Sequence, residues 1–266
     1  MTAPASTAPA SAARADRSPL FCVRGLVKAY GDLRVLDGLD FDVERGECLV
    51  IMGRSGSGKS VTLRQLNGLE TTDAGSVVFD GEEIAQLHER ELYPLRRRVA
   101  MLFQSGALFD SMDVFENIAF PVREHTDLDE AAIERRVADK LAVVKLHGIE
   151  GHMPSALSGG MRKRVALARS LALDPEAVLF DEPTTGLDPV TSATIAELIA
   201  STQRELGMTS VVVTHDVALA RRVGDRIAFL EDGRFRFVGT WPEAQASGDE
   251  TLTRFLTGKE EALDEI

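Results

Sequence analysis

The chain has 266 residues, enough to bury one large core or two modest ones. Its 44% hydrophobic and 27% charged content is that of a soluble globular protein, and no apolar run approaches the roughly 20 residues needed to span a bilayer. A net charge of −12 with a pI near 5.0 excludes broad electrostatic binding to nucleic acid, which needs clustered Lys and Arg.

Residues 1–19 hold Pro4, Pro9 and Pro19 among many small residues and read as a disordered tail. They have no basic start followed by an apolar stretch, so they do not form a secretory signal, and the protein is expected in the cytosol. Leu20 to Tyr30 mixes apolar and polar residues as an edge strand does, and Val35 to Glu47 reads as a second strand with a turn at Gly46. Leu49-Val50-Ile51-Met52 is a short buried strand, and Val61 to Leu69 is helical. Gly75 to Gly81 is a short strand bounded by glycines, and Val99 to Phe103 is a buried strand ending at Gln104. From 106 to 150 the pattern is helical. Ile133, Val137, Leu141 and Val144 make one apolar stripe, with Pro121 and Pro154 as punctuation. Residues of about 105–160 are therefore expected to form a helical subdomain inserted in an α/β core. A helix over 158–172, a strand over Ala177 to Phe180 and a helix over Thr191 to Leu206 follow. Thr209 to Thr214, Arg226 to Leu230 and Phe235 to Val238 read as strands, and Thr251 to Leu256 as a small helix. Residues 259–266 form an acidic tail whose charge favours disorder. Cys22 and Cys48 sit in strand-like contexts and read as two buried free thiols, and the five histidines show no ligand spacing. Arg96-Arg97-Arg98 and Arg162-Lys163-Arg164 could form a local basic patch.

The chemistry centres on Gly53 to Ser60, GRSGSGKS, which fits the phosphate-binding loop pattern G-x-x-x-x-G-K-[ST] between a strand and a helix. Gly53, Gly56 and Gly58 let the backbone curl so that its N–H groups point inward at a phosphate. Arg54, Ser55 and Ser57 complete the loop, and the start of the following helix adds its positive end. Lys59 can place a cation on the β- and γ-phosphates, and Ser60 can offer its hydroxyl to Mg²⁺. A glycine-rich turn with a chance lysine is the competing explanation, but it leaves the strand–loop–helix context unexplained. Asp181-Glu182 closes the apolar run Val178-Leu179-Phe180. The first carboxylate can hold Mg²⁺, directly or through water, and the second can take a proton from an attacking water or orient it. Ser158-Gly159-Gly160 at a helix start is either a second anion site or an ordinary N-cap with flexible glycines, and the stretch alone does not choose.

Taken in order, the phosphate loop, Gln104, the SGG helix, the strand ending in Asp181-Glu182, and His215 resemble the ATP-binding cassette (ABC) family over residues 20–258. The resemblance implies an α/β P-loop NTPase fold: a RecA-like core, an antiparallel β subdomain and a helical subdomain. It implies an ATPase using ATP and Mg²⁺. Tyr30 would stack on adenine, Gln104 would sense Mg²⁺ and the attacking water, Asp188 would communicate across a dimer, and His215 would contact the γ-phosphate. Two copies would pair head to tail, with the phosphate loop of one facing Ser158 to Gly160 of the other. One departure stands out: most family members carry Gln where this chain has Met161, which removes a polar contact near the ribose, and activity is expected to survive.

The stretch from Gln104 to Met112, the following VFENIAFPVREHT, LSGGM and the run RKRVALARSLALDPE are similar to the ATPase subunit of Mla-type lipid transporters. That implies separate transmembrane permease subunits, an MCE-domain substrate-binding protein and a small regulatory subunit as partners. It also implies a cytoplasmic location, peripheral on the inner membrane. Leu108, Phe109, Met112 and Phe115 would be exposed in a groove for the permease, or would pack inside the helical subdomain. A soluble ABC ATPase of DNA repair or the ribosome fits less well, since such chains carry two cassettes or a long coiled coil. A P-loop kinase leaves SGG, Gln104 and His215 unexplained. A scaffold that binds ATP without turnover leaves Lys59, Asp181 and Glu182 unexplained.

Overall fold

The computed structural model describes residues 18–258. The expected tails therefore lie outside the described residues, apart from Ser18 and Pro19. Strands β1 (Phe21–Tyr30) and β2 (Leu33–Val43) pair antiparallel, with Phe21 opposite Val43. The chain then enters β3 (Cys48–Met52) and α1 (Lys59–Leu66) before returning to β1 with β4 (Ala74–Phe79) and the two-residue β5 (Glu82–Glu83). The result is a four-stranded antiparallel sheet in the order β2-β1-β4-β5.

Next come α2 (Leu92–Arg98), β6 (Val99–Leu102), α3 (Val114–His125), α4 (Glu130–Val143), α5 (Gly159–Ser170) and β7 (Ala177–Asp181). The chain continues through α6 (Pro189–Leu206), β8 (Thr209–Thr214), α7 (Val217–Val223), β9 (Arg226–Glu231), β10 (Arg234–Gly239), α8 (Trp241–Ala246) and α9 (Glu250–Thr257). The second sheet runs β10-β9-β3-β8-β7-β6 and is parallel except for the β9–β10 hairpin.

Strands β3, β7 and β8 are buried at every position, which is why each is built on a run of consecutive apolar residues. Their side chains alternate. Cys48, Val50 and Met52 enter a core shared with the helices from α3 to α7. Leu49 and Ile51 enter a second core shared with α1 and the antiparallel sheet. A fully buried Val, Leu or Phe contributes about 1.5–3 kcal/mol, so both layers are held to the sheet. The parallel strands all end at one edge. There β3 releases the glycine-rich loop, β6 leads to Gln104, β7 ends in Asp181-Glu182 and β8 ends at His215. Met52 pairs with Thr214, and Asp181 with Val213, which sets these ends side by side.

Between β6 and β7, helices α3, α4 and α5 pack on one another, and the stripe Ile133, Val137, Leu141 and Val144 is buried among them. Their starts are capped by Asp113, Asp129 and Ser158, each accepting a backbone N–H.

Several sequence expectations need correction. Pro121 lies inside α3 rather than ending it, whereas Pro154 does open a single 3₁₀ turn. The basic run 92–98 is helical: Leu92 and Leu95 bury its one apolar edge. Only Cys48 is fully buried, while Cys22 is half-buried. The basic runs form no open patch. Arg96 pairs with Glu89, Arg98 with Asp80 and Glu176, and Lys163 is buried.

Candidate active site

Gly53 to Ser60 wraps a cleft of about 550 Å³. Arg54, Ser55, Gly56, Gly58, Lys59 and Ser60 line it from the loop, and Gln104, Glu182 and His215 line it from the ends of other strands. The loop is tight. A Cβ at Gly53 would collide with the Leu230 carbonyl, and Gly58 has φ +102° with the Leu36 side chain 2.8 Å from where a Cβ would sit. Ser57 turns inward instead: its hydroxyl stands 2.8 Å from the same Cβ position of Gly53.

Lys59 is the first residue of α1 and is buried, with Nζ donating to the carbonyls of Gly53 and Arg54 at 2.9 Å each. Burial pushes its ammonium below the usual lysine range, while Glu182 and Asp181 pull it back. Ser60 Oγ donates to Asp181 Oδ1 at 2.7 Å. A hydroxyl beside a carboxylate is the hard-oxygen pair that suits Mg²⁺, which takes few protein ligands and fills its remaining positions with phosphate and water. Among the described residues no group of three or more His, Cys, Asp or Glu could hold a metal, so a cation here would depend on such outside oxygens.

Glu182 is the most heavily held group in the cleft. His215 Nδ1 lies 3.0 Å from its Oε1, Thr185 Oγ1 donates to Oε2 at 3.1 Å, and Lys59 Nζ stands 3.7 Å away. Thr214 Oγ1 reaches Oε2 at 3.4 Å. Its φ is +46°, a left-handed conformation that a glutamate rarely adopts and that costs of order 1 kcal/mol or more. Here the strain turns the chain off the end of β7 and aims the carboxylate into the cleft. A carboxylate so placed can accept a proton from water, and the imidazole beside it can donate to an oxyanion or hold the carboxylate still.

The structure does not gather every candidate residue. Tyr30 ends β1 outside the cleft lining. It is 46% exposed, with the Lys28 ammonium 5.6 Å from its ring centroid. Burial and Glu70 push its hydroxyl above the usual range. Ser158, Gly159 and Gly160 are likewise absent from the lining. Ser158 is exposed and caps α5, and Gly160 is pressed against Thr191, where a Cβ would have only 2.5 Å to the Thr191 methyl. Asp188 caps α6, accepting from Val190 N, Thr191 N and Thr191 Oγ1. Met161 is half-buried, with its side chain packed against the apolar core. Of the four residues expected to line an open groove, only Phe109 is exposed. Leu108 and Phe115 pack on the core, and Met112 is half-buried.

Three cleft residues, Val35, Val61 and Thr185, and one residue buried behind the cleft, Thr214, carry no strong sequence signal; the two threonines hold Glu182. The threonines carry a weak signal: each lies within three residues of a chemical residue at a strand end.

This arrangement, a phosphate-type loop beside a carboxylate pair at the edge of a parallel sheet, defines a P-loop nucleotide hydrolase. The ABC transporter family profile matches residues 36–185, and the chain belongs to that family. It is an ATPase, and its fold is the ABC cassette. Over 237 residues it is 43% identical to the intermembrane phospholipid transport system ATP-binding protein MlaF of Haemophilus influenzae, covering 89% of this chain and 90% of that one. It is 41% identical to the probable ribonucleotide transport ATP-binding protein mkl of Mycobacterium leprae, covering 89% and 68%. Among solved structures, a dimeric ATP-binding cassette in a post-hydrolysis state with ADP and Pi bound superposes with a TM-score of 0.77 at 32% identity, over 83% of this chain and 98% of that one. The cbiO1 protein of Clostridium perfringens, part of an ABC transporter complex, gives 0.79 at 29% identity, over 90% and 94%.

Proposed function

We propose that this chain is the ATP-hydrolysing motor of an ABC transporter that moves phospholipid or a related lipid through a separate permease. The observation that carries the catalytic part is the convergence of Lys59, Glu182 and His215 on one cleft beneath the glycine-rich loop, with Asp181 bonded by Ser60 at its wall. The lipid part rests on the 43% identity to a phospholipid transport ATPase over nearly the whole length of both chains.

The chain's residues divide the work. Loop N–H groups and Lys59 bind and orient the β- and γ-phosphates. Tyr30 offers its exposed ring to the base. Ser60 and Asp181, with Gln104 alongside, hold Mg²⁺, which when bound neutralises phosphate charge. Glu182 orients water and takes its proton, and His215 steadies Glu182 and reaches the γ-phosphate. Ser158 to Gly160, facing away from their own cleft, close over the nucleotide of a second copy of the chain, with Asp188 at the seam. Residues from about 105–160 move as a helical unit against the core, and the permease docks beside Phe109. An MCE-domain protein and a small regulatory subunit complete the assembly, and the ATPase sits on the cytoplasmic face of the inner membrane.

The test is purification of the tagged complex from membranes, with co-purifying chains and lipids identified by mass spectrometry. Recovery of a permease with bound phospholipid, and ATP turnover stimulated by that lipid, is expected. Stimulation by ribonucleotide and not by lipid would favour the cargo for which the mycobacterial relative is named.

A further inference from the structure

Lys163 belongs to none of the roles above, yet it is one of the most buried cations in the chain, at 7% exposure. It lies in the second turn of α5, five residues past Ser158, or about 7.5 Å along the helix axis. Its Nζ donates to the main-chain carbonyl of Gln104 across 59 positions of sequence. Burial pushes its ammonium down, and the carboxylates of Asp181 and Glu182 pull it back up, so it stands within the field of the catalytic pair.

The same face of α5 carries Ala166 and Arg169, at three-residue spacing. Gly106 packs against Ala166: a Cβ there would lie 3.3 Å from the Ala166 methyl. Arg169 donates to the Gly106 carbonyl at 3.1 Å and stacks its guanidinium 5.6 Å from the Phe109 ring centroid. Farther along, the buried Asn117 bonds the main chain of Phe109, Met112 and Asp113. The segment carrying Gln104 is thus tied to the helix that begins at Gly159, and its first tie is Lys163. Breaking that tie would strand a buried ammonium and free the Gln104 carbonyl, while the glycine-rich loop and α1 would keep their contacts.

We propose that Lys163 is a positioning residue that couples the two nucleotide sites: from the helix whose Ser158–Gly160 end closes on the partner's nucleotide, it sets Gln104 over the chain's own. This rests on the head-to-tail pairing proposed above. Through it, clasping one nucleotide orders the hydrolytic groups around the other, which makes turnover cooperative in ATP.

The experiment measures steady-state ATP hydrolysis by K163M, K163R and K163Q against the parent chain, with ATP-driven dimerisation followed separately in the E182Q background. K163M is expected to lose about tenfold or more in kcat, to keep KM for ATP within about twofold, and to bring the Hill coefficient towards 1. K163R restores both. K163Q, which still donates to the carbonyl, loses no more than about threefold in kcat and keeps cooperativity. The K163R and K163Q results carry the test if K163M fails to fold. K163M with parental kcat and Hill coefficient overturns the inference, as does loss of ATP binding together with kcat, or a folded K163Q without cooperativity. Failure of E182Q itself to dimerise with ATP overturns the pairing, and this inference with it. Dimerisation intact in E182Q with turnover unchanged in K163M overturns the inference alone.

Discussion

Two stretches of this chain are proposed to bind anions, and they differ in what surrounds them. Around Gly53 to Ser60 the structure is dense: Lys59 is buried on two carbonyls, Ser60 bonds Asp181, and Glu182 is held by His215 and two threonines. Around Ser158 to Gly160 it is open. Ser158 is exposed; its side chain caps Met161 N and its carbonyl accepts from Arg162 N inside the helix, while Leu187 packs at Gly159 and Thr191 at Gly160. One wall is preorganised inside a single chain, and the other is a helix start presented outward. A site assembled from both makes binding a property of one chain and hydrolysis a property of the pair, so changes in the first wall should be felt by a monomer and changes in the second should not.

Glu182→Gln gives the largest expected effect. It removes the group that accepts a proton while keeping its shape, so phosphate release should fall by about 10²–10⁴-fold with ATP still bound. Turnover within tenfold of the parent would remove Glu182 from the chemistry. Lys59→Ala should weaken ATP binding by about 10–100-fold, the worth of a charge-assisted contact, in a nucleotide titration of the monomer. Ser158→Arg in the same titration should leave affinity within about twofold, because that wall does not touch the chain's own cleft. Equal losses in both variants would erase the distinction between the walls. The arginine should also cost about 1 kcal/mol of stability through the lost cap, a shift of a few degrees in Tm.

The smallest effect tests the frame that carries the first wall. Asp80, at the end of β4, bonds Arg98 and Arg45 and so joins the antiparallel sheet to the core. The Arg98 guanidinium, with Arg45, holds its carboxyl below the ordinary value of 3.8. Such a group adds stability above that value and loses it as pH falls through its lower folded-state value. Asp80→Asn should therefore show a shallower fall in unfolding free energy below pH 3.8 than the parent, by denaturant titration. Parallel curves would mean the bridge carries nothing.

Much of this was legible in the sequence because one-dimensional signals coincide with three-dimensional ones. Strands buried on both faces are dominated by consecutive apolar residues, so the runs inside β3, β7 and β8 stood out, and the residues just beyond them had to lie at one sheet edge. Short elements hid. The helix α7 has seven residues, and α2 is masked by three arginines, of which Arg96 and Arg98 find acids outside the helix. The helix α8 did carry a start signal, Thr240 and Glu243 around Trp241-Pro242, that went unread. What no local pattern carries is a contact between distant backbone and side chain. Lys163 looked like one member of a basic run because its acceptor, the Gln104 carbonyl, is a feature every residue has.

In the head-to-tail pairing proposed above, a working site takes one wall from each of two chains. The most direct measurement is sedimentation of Glu182→Gln with Mg²⁺ and ATP, beside the same variant carrying Ser158→Arg. An ATP-dependent dimer is expected for the first and a monomer that still binds ATP for the second. A double variant that dimerises with ATP as tightly as the single one would contradict it.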